Sequence, residues 1–299
     1  MDTRLLCTFA TLARTGSFTA TAAELHLAQS TVTVHIRALE KELGARLFDR
    51  LPRGAVLTDT GRRLLADAEA VLEAEARLRA TAAAHDGGPV TGRVVLGAGE
   101  TLCAARLPGV VAALSRAQPE LEIELHPTGT AGAVDGLRAG RLDLALLLEE
   151  RAEYADLSAE RLGTEPLALV AAPGHPLASA DGPPADWAEL ARQHFFLHEQ
   201  GCSYSDRLAR DLLAVAGARP RLTRFGSIEA ARSCVTAGLG LTLLPRVTVV
   251  EALGAGRLAE VPGPAFPDVP VQLVRARRRW RSPAVRAVTA ELVRQFAAA

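Results

Sequence analysis

Thr19-Ala20-Thr21-Ala22-Ala23-Glu24-Leu25-His26-Leu27-Ala28-Gln29-Ser30-Thr31-Val32-Thr33-Val34-His35-Ile36-Arg37-Ala38-Leu39-Glu40-Lys41-Glu42-Leu43-Gly44 carries two helical patterns with a break at 26–28. In the second, Val32, Ile36, Leu39 and Leu43 step by four, three and four, which marks one buried stripe that Gly44 closes. Gln29, Ser30, Thr33 and Arg37 fall on the opposite face. Upstream, Ser17 stands where an N-cap belongs, with Ala20, Ala23 and Leu25 as the expected apolar contacts of its helix. Before it, Leu5, Leu6, Phe9, Leu12 and Ala13 recur at helical spacing up to Gly16.

Downstream, Leu47-Phe48 and Val56-Leu57 flank the basic turn Arg50-Leu51-Pro52-Arg53-Gly54, which reads as a two-stranded wing. Thr58 can cap a long helix reaching about residue 84. Its Leu64, Leu65, Ala68, Val71, Leu72, Ala76 and Leu78 form a stripe too long for a lone surface helix to leave exposed, so pairing with a second copy is expected.

Asp86-Gly87-Gly88-Pro89 reads as a linker, and beyond it strands and helices alternate. Strands are expected over 94–98, 121–126 and 142–148, with a helix over 102–117 and a short one before residue 142. A second set follows: strands 167–172, 195–197, 222–225 and 241–244, and helices 206–216 and 228–237. Strand 271–275 and helix 283–296 complete the chain. This βαβ pattern predicts mainly parallel sheets, arranged as two α/β subdomains with a cleft between them. The expected division is a winged helix-turn-helix over 1–58, a linker helix and hinge over 59–89, and an α/β domain over 90–299. Within that domain, one subdomain covers about 90–163 and 268–299, the other about 164–267.

The 299 residues are 48% hydrophobic, ample for buried cores. The N-terminus lacks the apolar core of a signal peptide, and no apolar run is long enough to cross a membrane. A cytoplasmic protein without membrane partners is expected. The four cysteines, Cys7, Cys103, Cys202 and Cys234, form no CxxC pair, and in a reducing compartment they read as free thiols.

A recognition helix presents short polar or basic side chains to base edges while its other face packs inward. Gln29, Ser30, Thr31, Thr33 and Arg37 suit base and phosphate contacts, and Arg50 and Arg53 suit phosphates beside the wing. Charge decides little, since nine basic residues against six acidic ones through Arg63 leave a surplus of three. Pattern alone leaves DNA reading and a plain solvated bundle face both open.

The run from Thr19 to Gly44, with Arg46-Leu47-Phe48-Asp49-Arg50 and Leu57-Thr58-Asp59-Thr60-Gly61, resembles the helix-turn-helix of LysR-type transcriptional regulators. Two later stretches are similar to the same family: Gly136-Leu137-Arg138-Ala139-Gly140-Arg141-Leu142-Asp143-Leu144-Ala145 and Gly238-Leu239-Gly240-Leu241-Thr242-Leu243-Leu244-Pro245. The resemblance implies that the residues matching Gln29, Ser30 and Thr33 face the major groove and that Arg50 and Arg53 belong to the wing. Val34 departs from it, because many members carry a polar or basic residue there. It further implies a periplasmic-binding-protein-like α/β domain and a homotetramer built as paired dimers. The implied partners are double-stranded operator DNA, a small-molecule effector of unknown identity, and RNA polymerase.

The resemblance implies effector contacts at Glu100, Thr101, Thr130, Cys202 and Ser203, and Tyr204 and Ser227 join them because they too stand at or near predicted helix starts. Exposed N–H groups there suit an anion, although each hydroxyl could simply cap its helix. Two departures trouble a carboxylate effector. Glu100 brings a negative charge, and Ser205 stands where relatives with the Gly-Cys-Ser-Tyr motif often carry Arg, which leaves Arg207 as an alternative receptor. The competing class is an enzyme. His194 and His198 would share a face on a helix, but Phe195-Phe196-Leu197 between them reads as a strand, and no GxSxG signature appears. No catalytic residue, metal or cofactor is expected.

Overall fold

The computed structural model describes residues 2–51, 54–84, 89–179, 182–217 and 219–297, with backbone only at 50, 51 and 80–84. The chain divides into two units, Met1–Pro89 with Trp280–Pro283, and Val90–Arg279 with Ala284–Ala299.

The first unit holds α1 (Thr3–Thr15), α2 (Phe18–Glu24), α3 (Gln29–Leu43), β1 (Phe48–Leu51), β2 (Gly54–Leu57) and α4 (Asp59–Ala84). The punctuation read from the sequence forms the helix ends. Gly16 takes a left-handed φ of 64° and donates its N–H to Leu12 O, and Ser17 accepts from Ala20 N to start α2. Leu6, Phe9, Leu12, Ile36, Leu39, Leu47 and Phe48 make the core, with Phe9 and Phe48 edge to face at 5.6 Å. The wing pairs Phe48 with Leu57 and Leu51 with Gly54. Glu40 anchors it, accepting from Leu47 N at 2.8 Å and Phe48 N at 3.4 Å.

Three expectations here need correction. On α2 the buried residues are Thr21 and Ala22, whereas Ala20 and Ala23 are exposed. The Thr21 hydroxyl donates to Ser17 O at 2.8 Å, so a polar side chain can turn inward with its donor satisfied. Leu43 is exposed at the end of α3, outside the stripe of Val32, Ile36 and Leu39. On α4 the single stripe splits. Leu64, Leu65, Ala68 and Leu72 pack on the unit's own core, while Val71, Ala76 and Leu78 are exposed, as is Ala74 outside that stripe.

Gly61 lets α4 lie close on the chain before the wing, since a Cβ there would sit 2.2 Å from Leu47 O. Gly61→Ala is therefore expected to destabilise by about 1–3 kcal/mol through overpacking, visible as a lower thermal midpoint in circular dichroism. An unchanged midpoint would mean that α4 shifts freely.

In the second unit, β3 (Gly92–Ala98), α5 (Glu100–Ala105), α6 (Leu107–Ala117), β4 (Leu121–Pro127), α7 (Thr130–Arg138), β5 (Leu144–Leu148) and β6 (Leu157–Glu165) come first. There follow β7 (Leu167–Ala171), α8 (Trp187–Leu190), β8 (His194–His198), α9 (Ser203–Leu213), β9 (Arg221–Phe225), α10 (Ile228–Thr236), β10 (Thr242–Pro245), α11 (Val250–Gly254) and β11 (Ala259–Glu260). The chain returns through β12 (Val269–Ala276) and α12 (Pro283–Ala297). One sheet runs β4-β3-β5-β12-β6 and a second β10-β7-β11, while β8 pairs with β9 and reaches Leu241 through one bridge.

The first sheet is mixed and the second antiparallel, rather than mainly parallel. β3 is parallel to β4 and β5, but β12 is antiparallel to β5 and β6, and β7 is antiparallel to β10 and β11. The returning strand enters from the opposite end, which a pattern of apolar residues does not record. β6 was not anticipated: its SAERLG stretch is polar, as an edge strand can be. The helix expected over 102–117 breaks at Arg106 (φ −110°), because Pro108 fits the first turn of α6 but not a helix interior. α9 starts at Ser203, earlier than the 206 expected.

Candidate functional site

A cavity of about 380 Å³ lies between the two α/β halves of the second unit. It collects the segments that leave the C-terminal ends of strands, where an open α/β sheet opens its crevice. After β3 come Gly99, Glu100 and Thr101, after β4 Thr128–Gly132, and after β5 Glu149. After β8 come Glu199 to Cys202, with Tyr204 behind them and Ile228 from α10. Leu146, Leu147 and Leu148 supply an apolar floor.

The expected residues Glu100, Thr101, Thr130, Cys202 and Tyr204 all line this cavity. Ser203 and Ser227 are beside it, with their hydroxyls already engaged. Ser203 Oγ donates to Leu148 O at 2.7 Å, and Ser227 Oγ donates to Glu100 at 3.2 Å. Helix capping does not describe these side chains. The N-caps of α5, α7, α9 and α10 are Gly99, Gly129, Cys202 and Ser227, and none makes a side-chain cap bond. Thr130 instead donates to Glu149 at 2.6 Å.

Glu100 is the principal surprise. It belongs to the first half, yet its carboxylate accepts from Ile228 N at 2.8 Å and so caps α10 of the second half. The helix terminus that seemed ready for an anion holds one supplied by the chain itself. Arg207, the alternative anion receptor, is engaged elsewhere, donating to Glu150 at 2.5 Å. No Lys or Arg lines the cavity among the described residues.

Glu149 is not singled out by the sequence reading. The usable signal was its place at the C-terminal end of an apolar strand. Burial pushes its carboxyl above the usual range, opposed by the hydrogen bond from Thr130. Ser203 Oγ also lies near, but a hydroxyl has one proton and Leu148 O takes it. Burial likewise pushes the Cys202 thiol up to about 11 and the enclosed Tyr204 phenol well above its ordinary value.

His194 and His198 sit on strand β8, as expected. His194 Nε2 meets Thr223 Oγ1 at 2.8 Å, while His198 faces the cavity with both ring nitrogens buried and, among the described residues, without a hydrogen-bond partner. No group of three or more His, Cys, Asp or Glu fit to hold a metal occurs among the described residues.

In the first unit, α3 exposes Gln29, Ser30 and Arg37, with Thr31 and Thr33 half-buried, opposite the buried Val32, Ile36 and Leu39. Thr33 Oγ1 donates back to Gln29 O at 3.2 Å. Ala28 provides no side-chain cap, which leaves the first N–H groups of α3 open. Val34 is exposed on the same helix. Arg53 and the side chain of Arg50 lie outside the described residues.

The family described as "Bacterial regulatory helix-turn-helix protein, lysR family" matches residues 3–62, and "LysR substrate binding domain" matches residues 87–297. The HTH-type transcriptional regulator YwqM of Bacillus subtilis, itself uncharacterized, is 34% identical over 96% of this chain and 97% of its own. A probable hydrogen peroxide-inducible genes activator of Mycobacterium avium is 35% identical over 84% of this chain and 79% of its own. A solved full-length OxyR from Pseudomonas aeruginosa, carrying a single substitution, shares the fold at a TM-score of 0.75. It is 24% identical and covers 99% of this chain and 94% of its own.

Proposed function

The chain belongs to the LysR family of bacterial transcriptional regulators, and on that premise we propose that α3 reads operator DNA under control of a ligand held in the cleft. The observation that carries the reading is the two-faced α3, with Gln29, Ser30 and Arg37 exposed on one side and Val32, Ile36 and Leu39 locked into the core on the other. Gln29 and Thr33 read base edges, Ser30, Thr31 and Arg37 contact bases or phosphates, and Arg50 and Arg53 hold the backbone beside the wing. The open first turn of α3 suits a phosphate.

Gln29→Ala tests this reading. It removes one base contact and no core contact, so operator affinity should fall by about 1–3 kcal/mol while the thermal midpoint stays. Fluorescence anisotropy with operator and scrambled duplexes gives the number. Equal discrimination by variant and wild type would take Gln29 out of base reading.

In the cleft, Thr101, Thr130, Cys202 and Tyr204 form the effector walls, and Glu149 joins them. Glu100 to Ile228 and Ser203 to Leu148 already span the two halves, so a ligand acts by favouring one closure over another. It can do so only through different affinities for the two states. The cleft is a binding surface rather than a catalytic one, in a cytoplasmic protein that assembles as a homotetramer and contacts RNA polymerase. The mycobacterial relative is named for a response to hydrogen peroxide, an oxidant that a cysteine thiolate can attack. A Cys202 thiol pushed up to about 11 stays protonated near neutral pH, and the thiol is the poor nucleophile of the pair.

A further inference from the structure

We infer that the cleft takes a small ligand carrying a protonated amine, with the ammonium group against Glu149. The inference rests on the reading of this cavity as the effector site and names the chemistry of its ligand. Three carboxylates stand on the wall, Glu100, Glu149 and Glu199, and they come from both halves of the unit. Each bears on a place where an anionic ligand would otherwise dock. Glu100 occupies the N-terminus of α10. Glu199 packs at the N-terminus of α7, where a methyl group built on Gly129 would come within 2.9 Å of its carboxylate. Glu149 receives the Thr130 hydroxyl from the first turn of that same helix.

An incoming carboxylate would thus meet three negative charges and no Lys or Arg among the described lining residues. The basic group on the wall is His198, with Nε2 4.0 Å from Glu100 Oε2. An ammonium group reverses this balance. Its three donors match the acceptors presented by Glu149 and Glu199, and its charge offsets the cost of holding Glu149 away from water. Leu146, Leu147, Leu148 and Ile228 then cover a short apolar body. The volume suits a molecule of metabolite size rather than a peptide.

Isothermal titration of the full-length protein with matched four-carbon probes separates the charge classes: 1,4-diaminobutane and n-butylamine against succinate and butyrate, at constant ionic strength. The expected result is saturable binding of the diamine, weakened at least tenfold in Glu149→Gln, with no saturation by succinate. Glu199→Gln, an exposed substitution that leaves the packing alone, should weaken the diamine as well and serves if the Glu149 variant folds poorly. Saturation by succinate or butyrate, or diamine binding that both variants leave intact, would overturn the inference. So would the absence of saturable binding by any of the four probes. None of these results touches operator reading, which the Gln29 variant tests in the other unit.

Discussion

Arg106→Leu is expected to destabilise the second unit by about 3–5 kcal/mol, the range for stripping one partner from a buried ion pair. Glu165 ends β6 with a side chain 1% exposed, and its two oxygens accept from Arg106 Nε at 2.5 Å and Nη2 at 3.1 Å. Arg106 is 28% exposed, so it keeps some water while its partner keeps almost none. Removing the guanidinium strands a carboxylate that cannot rehydrate without opening the fold. The position matters because the chain passes to the second sheet immediately after Glu165, while Arg106 fixes the break between α5 and α6. α5 in turn presents Glu100 and Thr101 to the cleft. Urea unfolding followed by circular dichroism measures the loss. The double variant Arg106→Leu with Glu165→Leu should recover most of it, since an apolar pair removes the stranded charge. A single-variant cost below about 1 kcal/mol would mean that Glu165 finds another partner or water.

The two units were legible in the sequence to different degrees. The stripe of Val32, Ile36 and Leu39, and the glycines and serine that end or start helices, are local signals, and those elements formed where they pointed. The direction of β12 is set by where a distant strand returns, which no window of residues records. α2 misled because hydrophobicity favoured Ala20 and Ala23, whereas the hydrogen bond of Thr21 to Ser17 made a threonine the better inward residue.

At the cleft, the helix starts located the walls, since segments leaving strand ends must gather there. The sequence could not say what each hydroxyl would bond. Thr130 and Ser227 look like caps in one dimension, but both donate to glutamates, in the case of Ser227 one 127 positions away. In sequence Glu100 only argues against an anionic effector, whereas its bond to Ile228 N shows the helix terminus already filled by a carboxylate.

Leu78→Asp is expected to abolish self-association along α4 and, with it, to lower operator affinity by a factor of about 10²–10³, the gain that two linked DNA-binding units provide. The helix runs 26 residues, roughly 39 Å at 1.5 Å per residue, and continues about three turns beyond Leu72, its last residue packed on the core. Its first apolar face is already used: Leu65, Ala68 and Leu72 pack against the core of α1 and α3. Aspartate at Leu72 would therefore damage the fold and the assembly together and could not tell them apart. Val71, Ala74 and Leu78 step by three and four on a separate face, with Leu78 72% exposed, and a second copy of the helix is what would cover them. A carboxylate at Leu78 would be desolvated in such an interface but fully hydrated in the separated chain, so it penalises assembly alone. Light scattering should show a lower mass for the variant with an unchanged thermal midpoint at low protein concentration. The same mass in variant and wild type would place the contact on another face.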